Sequence, residues 1–252
     1  MSTFLYDDHL KQNMSIEIRE LKSVGLKGGT VIDGFPSLGL ANAIASECMI
    51  ETLQLDLVAV LDSEKFPSLS TIYRSKPYFP ARIHANQDLK LAVFISELSL
   101  KEPNLRLIGK TMLKWAQEHQ CSLILSAAGL PVEDSETMAD TDLLAVGSTA
   151  NALKKIQNAG IKMLEHGAIS GIPSVLLNEG RLANLDVIVF LVKVLKDFPD
   201  FRAAAIVSEA MGKFAPSCQC DVKSLITEAE KVEKRLRKIQ KESKPLTEAM
   251  YG

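Results

Sequence analysis

The feature that most constrains this chain is a repeated change of hydrophobic period, with short β-rich runs recurring along it and helical segments between them. The runs are Thr30–Asp33, Leu57–Leu61, Leu91–Ser96, Leu123–Ser126 and Asp186–Val194, dominated by residues that suit a pleated, buried surface. Between them, Leu38–Glu51 is apolar at helical spacing, and Asn104–His119 sets Leu105, Ile108, Met112 and Trp115 three or four residues apart. Stripes of that kind belong to helices packed on a sheet. Asp142–Ala159 ends at Gly160, Ile172–Gly180 has Pro173 near its first turn, and Asp200–Lys213 follows Pro199 and contains an alanine run. All three carry helix signals. Strands alternating with helices predict an α/β protein with a mostly parallel sheet covered by helices. Ile16-Glu17-Ile18 alternates as an edge strand does.

The composition shifts at Ala215-Pro216-Ser217, which divides an α/β core domain of residues 1–217 from a terminal segment of residues 218–252. Within that segment Asp221–Ser243 is rich in Lys, Arg and Glu. Val222, Leu225, Ala229, Val232, Leu236 and Ile239 follow 3-4-3-4-3 spacing, the seam of a helix that packs along one side. Packing against the chain's own core is the simplest use of such a stripe. Lys244-Pro245 ends the helix, because the residue before proline disfavours helical geometry, and Leu246–Gly252 is expected to be a mobile tail.

The formal net charge of −2 supplies no long-range attraction for nucleic acid or acidic lipid. No run of apolar residues is long enough to span a membrane, and Met1–Lys11 lacks the apolar core of a signal peptide. A cytoplasmic address is therefore expected. Cys48 and Cys121 lie in apolar surroundings and read as buried free thiols. Cys218 and Cys220 form a C-x-C pair without a second pair or a nearby histidine, so no metal site is predicted.

The most enzyme-like segment is Asp33-Gly34-Phe35-Pro36-Ser37-Leu38-Gly39, placed between a predicted strand and helix. Backbone N–H groups at a helix N-terminus can hold an anion, so Gly34, Pro36, Ser37 and Gly39 form a candidate ligand loop. The segment has neither the G-x-G-x-x-G pattern nor P-loop spacing, and a tight strand-to-helix turn that needs glycine is the simpler reading. His9, His84, His119 and His166 lie in unrelated contexts and no G-x-S-x-G elbow occurs. His166, near the end of a predicted strand, is best read as structural. The acidic groups Glu133-Asp134-Ser135-Glu136 and Asp140–Asp142 suit a loop and the first turn of a helix. No catalytic residue and no cofactor are predicted. The chain ends in Met250-Tyr251-Gly252, which joins an apolar side chain, an aromatic ring and a terminal carboxylate at the end of a stalk. That combination suits a docking peptide.

Ile32-Asp33-Gly34-Phe35-Pro36-Ser37-Leu38-Gly39, Gly167-Ala168-Ile169-Ser170-Gly171-Ile172-Pro173 and Pro199-Asp200-Phe201-Arg202-Ala203-Ala204-Ala205, followed by the charged terminal helix, occur in this order. From about Gly28 onward the chain thereby resembles the archaeal members of the proteasome assembly chaperone family, some of which carry an older ATP-grasp-like label. The resemblance implies a three-layer α/β/α sandwich, phosphorylase- or hydrolase-like in fold, in a homo-oligomer. It implies a non-enzymatic assembly chaperone or activator whose C-terminal hydrophobic-Tyr-X tail enters pockets between α subunits of the 20S proteasome. Met250, Tyr251 and Gly252 match that tail, with the Tyr251 ring at the pocket mouth and the Gly252 carboxylate paired with a partner lysine. One departure is that Ile172-Pro173 stands where the family often has Gly-Leu or Gly-Gly. The alternative reading is a phosphorylase- or hydrolase-type enzyme holding a nucleotide-like ligand over Gly34–Gly39, near Glu133 or His166. A plain oligomerisation role for the Val222–Ile239 seam is a third.

Overall fold

The central strands are apolar on both faces because a layer of helices covers each side of the sheet. The computed structural model describes residues 16–73, 75–132, 143–195 and 199–215, together with Lys223 and Leu225. In chain order its elements are β1 (Glu17–Glu20), β2 (Thr30–Gly34), a single 3-10 turn (Leu38–Leu40) running into α1 (Ala41–Thr52), β3 (Asp56–Asp62), β4 (Thr71–Tyr73) and β5 (Lys76–Tyr78). There follow β6 (Ala81–Asn86), β7 (Leu91–Ser96), α2 (Asn104–Glu118), β8 (Leu123–Val132), β9 (Leu144–Gly147), α3 (Ala150–Asn158), β10 (Lys162–Met163), α4 (Ile172–Ala183), β11 (Asp186–Leu195) and α5 (Phe201–Phe214).

The main sheet runs β1-β3-β6-β7-β2-β8-β11-β9-β10. Its centre, β7-β2-β8-β11, is parallel. Antiparallel pairs flank it, with β1, β3 and β6 on one side and β9 against β11 on the other. Strands β4 and β5 form a separate hairpin. Side chains alternate between two cores. Ile32, Val93, Leu125, Ile188 and Phe190 face α1, α3 and α5 through Ala45, Met49, Ile156, Ala204 and Val207. Their neighbours Val31, Phe94, Ile124, Val187 and Val189 face α2 and α4 through Ile108, Met112, Trp115 and Leu176. The result is the expected three-layer α/β/α sandwich.

Several boundaries differ from the sequence reading, each for a local reason. The expected helix Asp142–Ala159 is divided, since Leu144–Gly147 pairs antiparallel with β11 and the helix begins only at Ala150. The Thr149 hydroxyl accepts the Ala152 N–H at 3.0 Å and caps that start. Gly180 does not end α4. It sits where a Cβ would lie 2.5 Å from Val187 Cγ2, and the helix closes at left-handed Asn184 instead.

Cys121 is buried and free as expected, its thiol pushed up to about 11 by burial. Cys48 corrects the expectation of a free thiol. It is disulfide-bonded. Leu225, 7% exposed, packs into the core shared by α1, α3 and α5. No helix among the described residues is long and apolar enough to cross a membrane.

Candidate functional site

Chain connectivity sets the place where a site can form. Strands β2 and β7 are parallel neighbours, yet β2 is followed by α1 on one face of the sheet and β7 by α2 on the other. Such a reversal opens a crevice beyond the carboxyl ends of the two strands, the usual ligand position in open α/β sheets. The segment between β2 and α1 occupies that position.

Its conformation depends on two glycines. A Cβ on Gly34 would lie 2.5 Å from the Phe94 carbonyl oxygen and 2.7 Å from Ser46 Oγ, so β2, β7 and α1 meet over bare backbone there. Gly39 has φ +71°, and a Cβ on it would lie 2.6 Å from Val194 Cβ. Leu40 follows, also left-handed at φ 54°, with its side chain and that of Leu38 exposed. The Asp200 N–H donates to the Gly39 carbonyl at 2.8 Å, and a side chain at Gly129 would run into the Leu38 carbonyl. The turn therefore rests on the ends of β8 and β11 and on the start of α5.

Below the turn, on the α2 and α4 side, lies Asp33, 1% exposed. The Ser126 hydroxyl donates to its Oδ2 at 2.7 Å and the Phe35 N–H to its Oδ1 at 3.0 Å. Burial raises its carboxyl to about 6 against the lowering effect of those two bonds. On the α1 side lie Asn42 and Ser46, at 1% and 0% exposure. Both polar atoms of the Asn42 amide, Ser46 Oγ and Ser37 Oγ are buried without a hydrogen-bond partner.

The structure thus brings Gly34, Pro36, Ser37 and Gly39 into one turn, as their spacing implied. Sequence reasoning missed Ser126, Asn42 and Ser46. The available signal was a polar pair four residues apart inside the apolar Leu38–Glu51 stripe, where polar residues face either solvent or something that bonds them. His166 is exposed in the loop after β10. Among the described residues no group of three His, Cys, Asp or Glu is placed to hold a metal. Glu133–Asp142, Cys218, Cys220 and the docking residues Met250, Tyr251 and Gly252 lie outside the described residues.

Residues 31–240 match the PAC2 family, and the chain belongs to it. Among solved structures it is similar to Pyrococcus furiosus PbaA, described as an archaeal homolog of proteasome-assembly chaperone, at 25% identity and TM-score 0.80 over 92% of this chain and 95% of that one. Pyrococcus furiosus PbaB, described as an archaeal proteasome activator, matches at 22% identity and TM-score 0.77 over 90% of this chain and 99% of that one, a likeness of fold. An uncharacterised protein of Methanocaldococcus jannaschii is 23% identical over 225 residues, covering 89% of this chain and 91% of its own length.

Proposed function

We propose that this protein is a non-enzymatic assembly chaperone or activator of the 20S proteasome that docks its C-terminus into pockets of the α ring. Family membership over residues 31–240 carries the reading, since PbaA, of the same fold along nearly the whole chain, is a homologue of a proteasome-assembly chaperone. The terminal Met250-Tyr251-Gly252 supplies groups suited to the task. An aromatic ring fills an apolar pocket mouth, and a terminal carboxylate pairs with a cationic or N–H-rich pocket wall. Residues 218–252 then act as a stalk that packs on the core of residues 1–217, where Leu225 is buried, and carries the docking tail. The partners are the α subunits and further copies of this chain, in the cytoplasm.

The test is co-sedimentation of the full chain with purified 20S proteasome, alongside a chain lacking residues 250–252. Loss of at least tenfold in binding by the shortened chain is expected. Equal binding by both chains overturns tail docking.

A further inference from the structure

Cys48 is disulfide-bonded, and the cysteines of the chain narrow its partner to two. There are four in all, Cys48, Cys121, Cys218 and Cys220. Cys121 is free, and it is buried in the core on the α2 and α4 side of the sheet, whereas Cys48 packs against the core on the α1, α3 and α5 side. Within one chain that leaves the C-x-C pair, a motif with no other role. We infer that Cys48 is joined to Cys218 or Cys220, and that this bond is a redox-sensitive tether between α1 and the root of the terminal segment.

The residues that bracket the C-x-C pair support this independently. Helix α5 packs on α1 and ends at Phe214. Ala215, 6% exposed, and Leu225, 7% exposed, are both buried in the same core that Cys48 packs against. Cys218 follows Ala215 by three residues and Cys220 precedes Leu225 by five. At no more than about 3.6 Å per residue, their Cα atoms lie within about 11 Å and 18 Å of those two anchors. A disulfide needs Cα atoms about 4.4–6.8 Å apart, so the pair is confined to the side of the sheet where Cys48 sits.

Access and setting make the bond reversible. Cys48 is half-buried, unlike Cys121, so its sulfur is within reach of a dissolved thiol. A small dithiol opens the bond in two exchange steps. Its first thiolate attacks one sulfur of the bridge and expels the other as a thiolate, which takes up a proton. Its second thiol then closes the reagent's own disulfide and frees the remaining protein thiol. Two protein thiols are gained as one dithiol is oxidised. Cys48 Sγ lies 3.9 Å from Thr52 Oγ1 on the next turn of α1, which gives the released thiol a hydroxyl to bond. In the cytoplasmic setting of the proposed function thiols are kept reduced, and a bridge there serves as a transient or sensing bond.

The experiment compares the full chain after treatment with glutathione disulfide and after treatment with dithiothreitol. Complete trypsin digestion without reductant places Cys48 in residues 28–65 and both Cys218 and Cys220 in residues 214–223. Mass spectrometry of the oxidised monomer is expected to find these two peptides linked, and dithiothreitol to separate them. On reduction the melting temperature is expected to fall by about 5 °C or more. Brief trypsin treatment of the native chain is expected to cut between Lys231 and Lys241 about fivefold faster or more once the tether is open. Cys48→Ser, and separately Cys218→Ser with Cys220→Ser, are expected to abolish the linked pair and the response of both readouts to reduction. Absence of the linked pair in the oxidised chain overturns the inference, as does a link from residues 28–65 to the Cys121 peptide or to a second copy. A linked parent whose melting and cleavage are unchanged by reduction also overturns it, since the bond would then tether nothing. Proteasome binding is no part of the readout, so this inference and tail docking fail separately.

Discussion

Asp33 holds its proton far above the ordinary aspartate range because its carboxyl is sealed under the β2–α1 turn with only the Ser126 hydroxyl and the Phe35 N–H to bond it. Its carboxyl moves from 3.8 to about 6 on folding. Between those values the folded state binds more protons than the unfolded one, so this residue's contribution to stability is greatest below pH about 4 and declines as pH rises to about 6. The difference across that window is about 2–3 kcal/mol at about 1.4 kcal/mol per pH unit. An Asp33→Asn variant keeps an acceptor for the Phe35 N–H and removes the titration. Urea unfolding at pH 4 and pH 7.5 is expected to show the variant gaining on the parent by that amount at the higher pH. Equal pH slopes in the two chains would refute the assignment. From the sequence, Asp33 is legible as a residue of a strand-to-helix turn. Its burial is not, because it depends on Ser126, 93 residues away on β8. Asn42 and Ser46 were missed for a related reason, since polar residues in a helix read as its solvent side until the helix is placed on a sheet.

Among elements, the legible ones are those whose burial leaves a periodic trace. Strand β7 is buried at all six positions and α2 carries a buried stripe, so both were placed within a residue or two. Strand β6 is absent from the runs read in the sequence although Arg82, His84 and Asn86 alternate with Ala81, Ile83 and Ala85 as in a half-covered strand, and its place is set by antiparallel pairing with β3 and β7. Strand β9 reads as part of a helix because the helix formers Leu144 and Ala145 open it, and its pairing with β11 decides otherwise. The junction between the β2–α1 turn and α5 is open to direct test. The Asp200 carboxylate accepts the Ala203 N–H at 2.9 Å and caps α5, while its own N–H holds Gly39. Asp200→Ala is expected to lower the unfolding free energy by about 1–2 kcal/mol in denaturant titration, and Asp200→Asn, which keeps an acceptor oxygen, by much less. Gly39→Ala introduces both an unfavourable left-handed residue and a clash with Val194. A loss of about 2–4 kcal/mol is expected from the two effects together, and a change below 1 kcal/mol would show that the turn moves freely over β11.

For the whole molecule, the docking proposal divides the work between the sandwich core and the terminal segment in a way that affinity can reveal. A three-residue terminus buries little surface, so one tail alone should bind weakly. Several tails carried on one homo-oligomeric scaffold bind far more tightly once the first has docked, because the local concentration of the others rises to about the millimolar range. The docking proposal therefore predicts a steep dependence on tail number. Subunits ending at Met250-Tyr251-Gly252 can be mixed in varying ratios with subunits lacking those residues, after denaturation and joint refolding, and the retention of the mixtures on immobilised 20S proteasome measured. Retention is expected to fall faster than the fraction of intact tails, with half-substituted assemblies binding at least tenfold more weakly than intact ones. A linear decline would mean that each tail acts alone, and the core would then serve as a carrier of single docking peptides. Extending the chain by one residue beyond Gly252 moves the carboxylate while leaving the Tyr251 ring in place. A drop comparable to removal of all three residues would assign the affinity to the carboxylate and ring acting together, whereas an unchanged affinity would leave the ring as sole anchor.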